Sequence, residues 1–85
     1  MKNPLIKLRE ERGLTIAELA LVGNVSVITV QRLENGSAKT ISNNLLAAIQ
    51  KLGYEPEKFR INYEAWRGLK MKKIIEEKVI QNDGF

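Results

Sequence analysis

One stretch of the sequence, residues 15–36, carries the start and stop signals of two short helices joined by a tight turn. Thr15 is followed three residues later by Glu18, which is the spacing of a capping box at a helix N-terminus. Gly23-Asn24 supplies the positive φ of a sharp break, because glycine lacks a Cβ atom and asparagine tolerates that conformation. Ser26 then starts a second helix as its N-cap. Two capped helices this close together predict a helix-turn-helix.

Apolar residues give each of these two helices an inward face. They are Leu19, Ala20 and Val22 in the first helix, and Val30 and Leu33 in the second. Asn35-Gly36 ends the second helix, because both residues accept the left-handed conformation in which helices often end. A helix-turn-helix presents its second helix to a DNA groove, so the segment also indicates a function.

The neighbouring segments predict further helices on both sides. Pro4 suits the first turn of a helix with Asn3 as its cap, and Gly13 stops that helix. Ser42 caps a fourth helix that Gly53 closes. The apolar residues of the fourth helix recur at helical spacing and are Leu45, Leu46, Ile49 and Leu52. Short connections between these elements predict an all-α fold, a compact bundle of four to five helices.

The end of the chain allows two interpretations. Pro56 starts a short fifth helix that contains Phe59. However, Phe59, Ile61 and Tyr63 also alternate as in a strand. From residue 64 to about residue 81 the pattern favours an extra C-terminal helix. The apolar residues of that helix are Trp66, Leu69, Ile74, Ile75, Val79 and Ile80.

We therefore divide the chain into a helix-turn-helix domain, residues 1–60, and a C-terminal helical extension, residues 61–85. The last residues, 82–85, are expected to be frayed. The extension carries more large apolar side chains than an isolated surface helix needs: Trp66, Met71, Ile74 and Ile75. These side chains either cover the bundle or form a dimer interface, and we expect a mixture of the two.

Composition excludes several classes of function. The chain of 85 residues is one small domain with little room for a catalytic cavity, and it has no histidine and no cysteine. We therefore expect no enzyme activity, no metal and no cofactor, because zinc sites and acid–base catalysis usually need these residues. The net charge of +4 is compatible with nucleic acid. We expect a cytoplasmic protein, because no long apolar run and no signal-peptide pattern is visible.

Residues 5–53 resemble the lambda-repressor-like, or XRE, family of helix-turn-helix domains. The resemblance is carried, in order, by Leu8-Arg9-Glu10-Glu11-Arg12-Gly13-Leu14-Thr15, Glu18-Leu19-Ala20, Val25-Ser26, Arg32-Leu33-Glu34-Asn35-Gly36, Leu45-Leu46 and Leu52-Gly53. It implies a five-helix domain, usually dimeric, that reads the DNA major groove with its third helix. The implied function is sequence-specific regulation of transcription, as a repressor. The implied partner is double-stranded DNA with a palindromic operator, and neither a membrane nor a small-molecule substrate is expected.

The resemblance also assigns roles to residues of the third helix and around it. Base-reading positions fall on Val27, Ile28 and Arg32, with Thr29 and Gln31 nearby, and phosphate-contact positions fall near Thr15, Ile16, Asn35 and Lys39. Ser26 belongs to the same surface, and Lys39, Thr40 and Asn43 form a polar loop that either holds phosphates or is simply solvated. Arg32 offers a planar fork to guanine, or contacts only phosphate or solvent.

Three apolar residues depart from the family pattern. Ile16 stands where glutamine is usual, and Val27 and Ile28 stand where polar residues are usual. Val27 and Ile28 either pack against thymine methyl groups or form a hydrophobic patch for a protein partner. A second hypothesis is therefore a protein-interaction module, antitoxin-like or an anti-repressor, that uses the same fold.

Two groups of charged residues are expected to have structural roles. The resemblance implies that Arg9 and Glu34 pair across the first and third helices and fix the geometry. Lys70, Lys72 and Lys73 are followed by glutamates, which indicates a solvated helix face more than a DNA contact.

Overall fold

The computed structural model describes the backbone of residues 1–82 and the side chains of residues 1–78. Within the described residues the chain is all-helical and contains no strand, which confirms the predicted fold class. The five helices are α1 (Pro4–Glu11), α2 (Ile16–Val22), α3 (Val27–Asn35), α4 (Asn43–Lys51) and α5 (Pro56–Asn82). The predictions for residues 83–85 and for the side chains of Val79 and Ile80 lie outside the described residues.

Side-chain caps start the first four helices at the predicted residues. Asn3 Oδ1 accepts from the N–H of Leu5 at 2.8 Å, Thr15 Oγ1 from Glu18 at 3.0 Å, Ser26 Oγ from Thr29 at 3.1 Å, and Ser42 Oγ from Leu45 at 3.3 Å. Glu18 Oε1 accepts in turn from the N–H of Thr15 at 2.9 Å, which completes the capping box. Each cap satisfies an N–H group that the helix cannot pair internally, so the helix starts are fixed by nearby residues.

The turn between α2 and α3 uses Gly23 and Asn24 for different purposes. Asn24 adopts the positive φ, at 52°, whereas Gly23 has an ordinary φ of −82°. A Cβ atom on Gly23 would lie 2.6 Å from Cδ1 of Leu45 and 3.2 Å from the carbonyl oxygen of Leu19. Gly23 therefore permits the close approach of the turn to α4, and Asn24 provides the left-handed backbone.

The inward faces of all five helices form a single core. Its buried residues are Leu5, Leu8, Leu19, Ala20, Val30, Leu33, Ile41, Leu45, Ile49, Phe59, Tyr63 and Trp66. The prediction that Val22 faces inward was wrong, because this side chain is 48% exposed. Val22 is the last residue of α2, where the chain turns along the surface towards α3.

α5 is one continuous helix of 27 residues, so the predicted separation into a short helix and a later one was wrong. Phe59 and Tyr63 are buried, whereas Ile61 between them is 53% exposed. Residues four apart share a helix face and the residue midway between them points away, so these three positions alternate in burial in a helix as they would in a strand. Trp66, three residues after Tyr63, continues the buried face.

Beyond this buried face, the remainder of α5 projects from the bundle. Residues 68–78 are exposed, and the molecule measures 51 × 23 × 21 Å. Trp66 packs into the core, whereas Met71, Ile74 and Ile75 are 44%, 47% and 57% exposed. The division of the chain between residues 60 and 61 falls inside α5 and stays a prediction.

Candidate nucleic-acid interface

α3 turns one face to the core and the opposite face to solvent. α2 and α3 are bent by 115° at the turn between them, within the range of about 90–120° for a helix-turn-helix. Val30 and Leu33 are buried, with 0% and 1% of their surface exposed. The exposed residues are Val27, Ile28, Gln31, Arg32 and Asn35. Their spacing places these five predicted DNA-contact residues on one face of the helix.

The start of α3 presents apolar side chains and keeps its hydroxyl groups occupied. Val27 is 41% exposed and Ile28 is 59% exposed. The hydroxyls of Ser26 and Thr29 lie 2.9 Å apart, and Ser26 Oγ also accepts from the backbone N–H of Thr29. Thr29 is half-buried. The first turn of the helix therefore offers methyl groups to an approaching surface, while the two hydroxyls bind each other.

The predicted contact positions at the start of α2 differ in exposure. Thr15 is exposed, and its hydroxyl oxygen is the acceptor of the capping box. Ile16 is half-buried and packs against the core. Ile16 therefore contributes to the fold of the bundle and presents only part of its side chain at the surface.

The loop after α3 is polar and exposed. Asn35 Oδ1 accepts from the backbone N–H of Ser37 at 2.9 Å and from its hydroxyl at 2.7 Å, so the Asn35 side chain shapes the turn. Lys39 and Thr40 lie exposed in the loop, and Asn43 is the exposed first residue of α4. These three side chains are therefore accessible from solvent beside the C-terminal end of α3.

The predicted pair of Arg9 and Glu34 is confirmed. Arg9 Nε lies 2.7 Å from Glu34 Oε2, and the hydrogen bond raises the pKa of Arg9 above its ordinary value. A second guanidinium N–H of Arg9 donates to the carbonyl oxygen of Leu14 at 3.2 Å. Arg9 therefore ties α1 to the last turn of α3 and to the loop that leads into α2.

Sequence reasoning missed the residues that hold the C-terminal end of α3. Asn3 is buried, and its Nδ2 donates to the carbonyl oxygens of Leu33 at 3.1 Å and Glu34 at 2.9 Å. From α5, Arg67 Nε donates to the carbonyl of Gly36 at 2.9 Å. The signal that could have found Arg67 is its place four residues after Tyr63, on a face of α5 that meets the bundle.

The interpretation of Lys70 as part of a solvated face was incomplete. Its Nζ donates to the carbonyl oxygen of Asn35 at 2.8 Å and lies 5.3 Å from the centre of the Trp66 ring. Lys72 lies 4.0 Å from Glu76, as expected of a charged helix face. Lys70 therefore joins α5 to the end of α3, directly beside a predicted phosphate-contact residue.

Within the described residues, no group of three or more carboxylates lies close enough to hold a metal ion. No single helix in this part of the chain is long and apolar enough to cross a membrane; α2 and α3 reach that length and composition only when taken together, across their 115° bend.

Comparison with known families agrees with this geometry. A helix-turn-helix family model matches residues 5–59, which is more than half of the chain, and the matched segment ends at Phe59 in the first turns of α5. No curated protein and no solved structure matches the chain significantly. Members of this family are DNA-binding regulatory domains and are not typically enzymes. The chain therefore belongs to the lambda-repressor-like (XRE) helix-turn-helix family and is a DNA-binding domain of the transcription-regulator type.

Proposed function

We propose that this protein is a sequence-specific repressor of transcription that reads the DNA major groove with α3. The observation that carries the proposal is the exposed face of α3, where Val27, Ile28, Gln31, Arg32 and Asn35 lie together opposite a buried face. A helix held in this way can enter the groove without disturbing the core. The protein acts on DNA directly, and its proposed location is the cytoplasm.

Different side chains on this face contact different chemical groups of the base pairs. Arg32 binds guanine O6 and N7 through its planar fork, and Gln31 is the second polar reader. Val27 and Ile28 contact the C5-methyl groups of thymine, which are the apolar features of the major groove. Thr29 supports this surface from its half-buried position.

Residues around α3 contact the phosphate backbone and set the register of the protein on DNA. They are Thr15, Ser26, Asn35, Lys39, Thr40 and Asn43. Short polar side chains and backbone N–H groups of this kind bind phosphate oxygens without reading sequence. The net charge of +4 adds a salt-dependent attraction.

The protein acts as a homodimer on a palindromic operator. Ile74 and Ile75 lie three and four residues after Met71, so the three side chains form an exposed apolar stripe on the projecting part of α5. Two copies joined by this stripe would place two α3 helices on half-sites about one helical turn, or roughly 34 Å, apart. This arrangement doubles the number of base contacts that a single small domain can make.

The experiment is selection of bound duplexes from a random pool, followed by fluorescence anisotropy on the selected duplex. We expect Arg32→Ala to abolish the preference for the selected duplex and binding to weaken steeply with salt. Lys58→Ala, which removes one exposed cation from the first turn of α5, is the matched control and keeps the preference. Failure to select any duplex contradicts the proposal.

One observation favours a second function, a protein-interaction module of antitoxin-like or anti-repressor type. Leu21 and Val22 at the end of α2 are 82% and 48% exposed, and the exposed Val27 and Ile28 follow across the turn. These four large apolar side chains lie within eight residues of sequence, and exposed apolar groups of this size are what a protein partner can cover. A monomer that ignores every duplex but co-purifies with one polypeptide, and loses it on Leu21→Ser, would favour this function.

A further inference from the structure

The C-terminal end of α3 is held entirely by protein groups. The last four carbonyls of an α-helix have no partner within the helix. In α3 the carbonyl of Arg32 accepts from the N–H of Ala38 at 3.1 Å, and those of Leu33 and Glu34 accept from Asn3. The carbonyl of Asn35 accepts from Lys70 at 2.8 Å. All four groups are therefore paired, which leaves little freedom for the end of the helix to tilt.

One face of α5 binds the last of these four carbonyls and two carbonyls of the segment that follows α3. Tyr63, Arg67 and Lys70 are spaced four and three residues apart, so they lie along the same side of the helix. They donate to the carbonyl oxygens of Ala38 at 2.7 Å, Gly36 at 2.9 Å and Asn35 at 2.8 Å, respectively. Three hydrogen bonds therefore join this face of α5 to the end of α3 and to the loop that follows it.

The packing between these hydrogen bonds is close. A Cβ atom on Gly36 would lie 3.2 Å from Cη2 of Trp66 and 3.3 Å from Cδ of Lys70. Gly36 also has a φ of 84°, which ends α3 in the left-handed conformation. The end of the helix therefore packs directly against the Trp66 ring and the Lys70 side chain.

We propose that Arg67 and Lys70 are positioning residues that fix the angle of α3 in the DNA groove. The inference rests on the proposed function. The two cations lie where the α3 dipole is negative, and their charge-assisted hydrogen bonds to Asn35, the last residue of α3, and to Gly36, its C-cap, hold that end of the helix in place. A bidentate contact requires the Arg32 guanidinium to face guanine O6 and N7 at the same time. A small tilt of α3 therefore weakens the recognition of sequence more than it weakens the attraction to phosphates.

The competing explanation is that Arg67 and Lys70 bind DNA phosphates directly. The salt dependence of DNA binding distinguishes this explanation from the positioning role. Loss of a phosphate contact lowers the slope of log K against log salt by about 0.9. Loss of a positioning contact leaves this slope unchanged. Lys73→Ala is the matched control, because it removes one exposed positive charge from the same helix, one turn further along.

The experiment measures binding of Arg67→Ala, Lys70→Ala and Lys73→Ala to the selected duplex and to a random duplex, over a range of salt concentrations. For Arg67→Ala and Lys70→Ala we expect about tenfold weaker binding to the selected duplex, and binding to the random duplex no weaker than that of Lys73→Ala. Lys70→Arg restores the donor and should recover the specificity. Equal losses on both duplexes with a reduced slope, or no loss at all, would overturn the proposal.

A second measurement does not involve DNA. Amide hydrogen exchange in the last turn of α3 and the loop to Ala38 should become faster in Arg67→Ala and Lys70→Ala but not in Lys73→Ala. Exchange that is equal in all three variants would also overturn the proposal. If wild-type protein binds no duplex, the proposed function fails, whereas specific binding that is unchanged in Arg67→Ala and Lys70→Ala contradicts only the positioning role.

Discussion

The guanidinium of Arg9 binds both carboxylate oxygens of Glu34, with Nε 2.7 Å from Oε2 and Nη2 3.2 Å from Oε1. The two side chains are 20% and 10% exposed, so the pair is largely shielded from water. The contact joins α1 to the last turn of α3, 25 residues apart in sequence. Its planar, two-point geometry fixes the angle between α1 and α3.

Removing one partner of this pair should destabilise the fold. Arg9→Ala or Glu34→Ala leaves the other charge poorly solvated, and we expect a loss of about 3 kcal/mol in the free energy of unfolding. The double replacement Arg9→Met with Glu34→Leu should recover much of that loss, because no charge is left behind. Urea denaturation measures both effects. The exposed pair of Lys2 and Glu10 is the control, and a loss in Glu10→Ala as large as that in Glu34→Ala would contradict the explanation.

Local signals explain what could be predicted from the sequence. The caps at Thr15, Ser26 and Ser42 act on residues three positions away, so residue type and spacing reveal them directly. The exposed face of α3 follows from helical periodicity once its start and end are known. The pair of Arg9 and Glu34 could be predicted only because the resemblance to a family supplied a contact between distant segments.

Contacts between distant segments explain what was missed. Lys70 and Arg67 bind backbone carbonyls 35 and 31 residues earlier, and a carbonyl group is the same for every residue type. No side chain at those positions marks the contact. Phe59 and Tyr63 similarly fit a helix and a strand alike, so the packing of α5 against the bundle, and not the local pattern, decides between them.

Gly23 and Gly68 should respond in opposite directions to replacement by alanine. A Cβ atom on Gly23 would meet the fully buried Leu45, so Gly23→Ala should destabilise the protein by about 1–3 kcal/mol. Nothing lies within 4 Å of a Cβ atom on Gly68, inside α5. Gly68→Ala should therefore stabilise by about 0.5–1 kcal/mol through its effect on helix propensity. Thermal unfolding of the two variants tests this, and a shift of the same sign in both would be inconsistent with it.

Tyr63 should make the stability of the protein depend on alkaline pH. Burial raises the pKa of Tyr63, and its hydroxyl donates to the carbonyl of Ala38 at 2.7 Å. Because the folded state favours the neutral phenol, its contribution is complete below the ordinary pKa of about 10 and is lost as the pH rises through the higher folded-state value. The free energy of unfolding of wild type should fall more steeply above pH about 10 than that of Tyr63→Phe.

The Tyr63→Phe variant also supplies the reference at neutral pH. It should lose about 1 kcal/mol there, since one hydrogen bond is removed without a change in the shape of the ring. The two pH profiles should therefore approach each other as the pH rises. Profiles that stay parallel would show that Tyr63 does not titrate differently in the folded and unfolded states.

Val27 and Ile28 should make binding depend on thymine methyl groups. Replacing a contacted thymine by deoxyuridine removes only the C5-methyl group, and we expect a loss of about 0.8 kcal/mol, or roughly fourfold in affinity, per contact. The loss should disappear in Val27→Ala or Ile28→Ala, depending on which side chain touches that base. Anisotropy on selected duplexes measures it, with deoxyuridine at a thymine outside the footprint as the control. Wild type that tolerates every such replacement would contradict the apolar readout.

The exposed stripe of Met71, Ile74 and Ile75 should determine the oligomeric state. Ile75→Glu places a negative charge in the stripe, and a dimer would have to bury this charge without a partner. We therefore expect the variant to be monomeric. Lys72→Gln is the matched control, because it changes the net charge by the same amount on the polar side of α5. Sedimentation velocity measures the state of each variant, and circular dichroism shows that the helix persists. Ile75→Glu should also lose affinity for a full palindrome while binding a half-site as wild type does. A dimer that survives Ile75→Glu unchanged would place the interface on another surface of the protein.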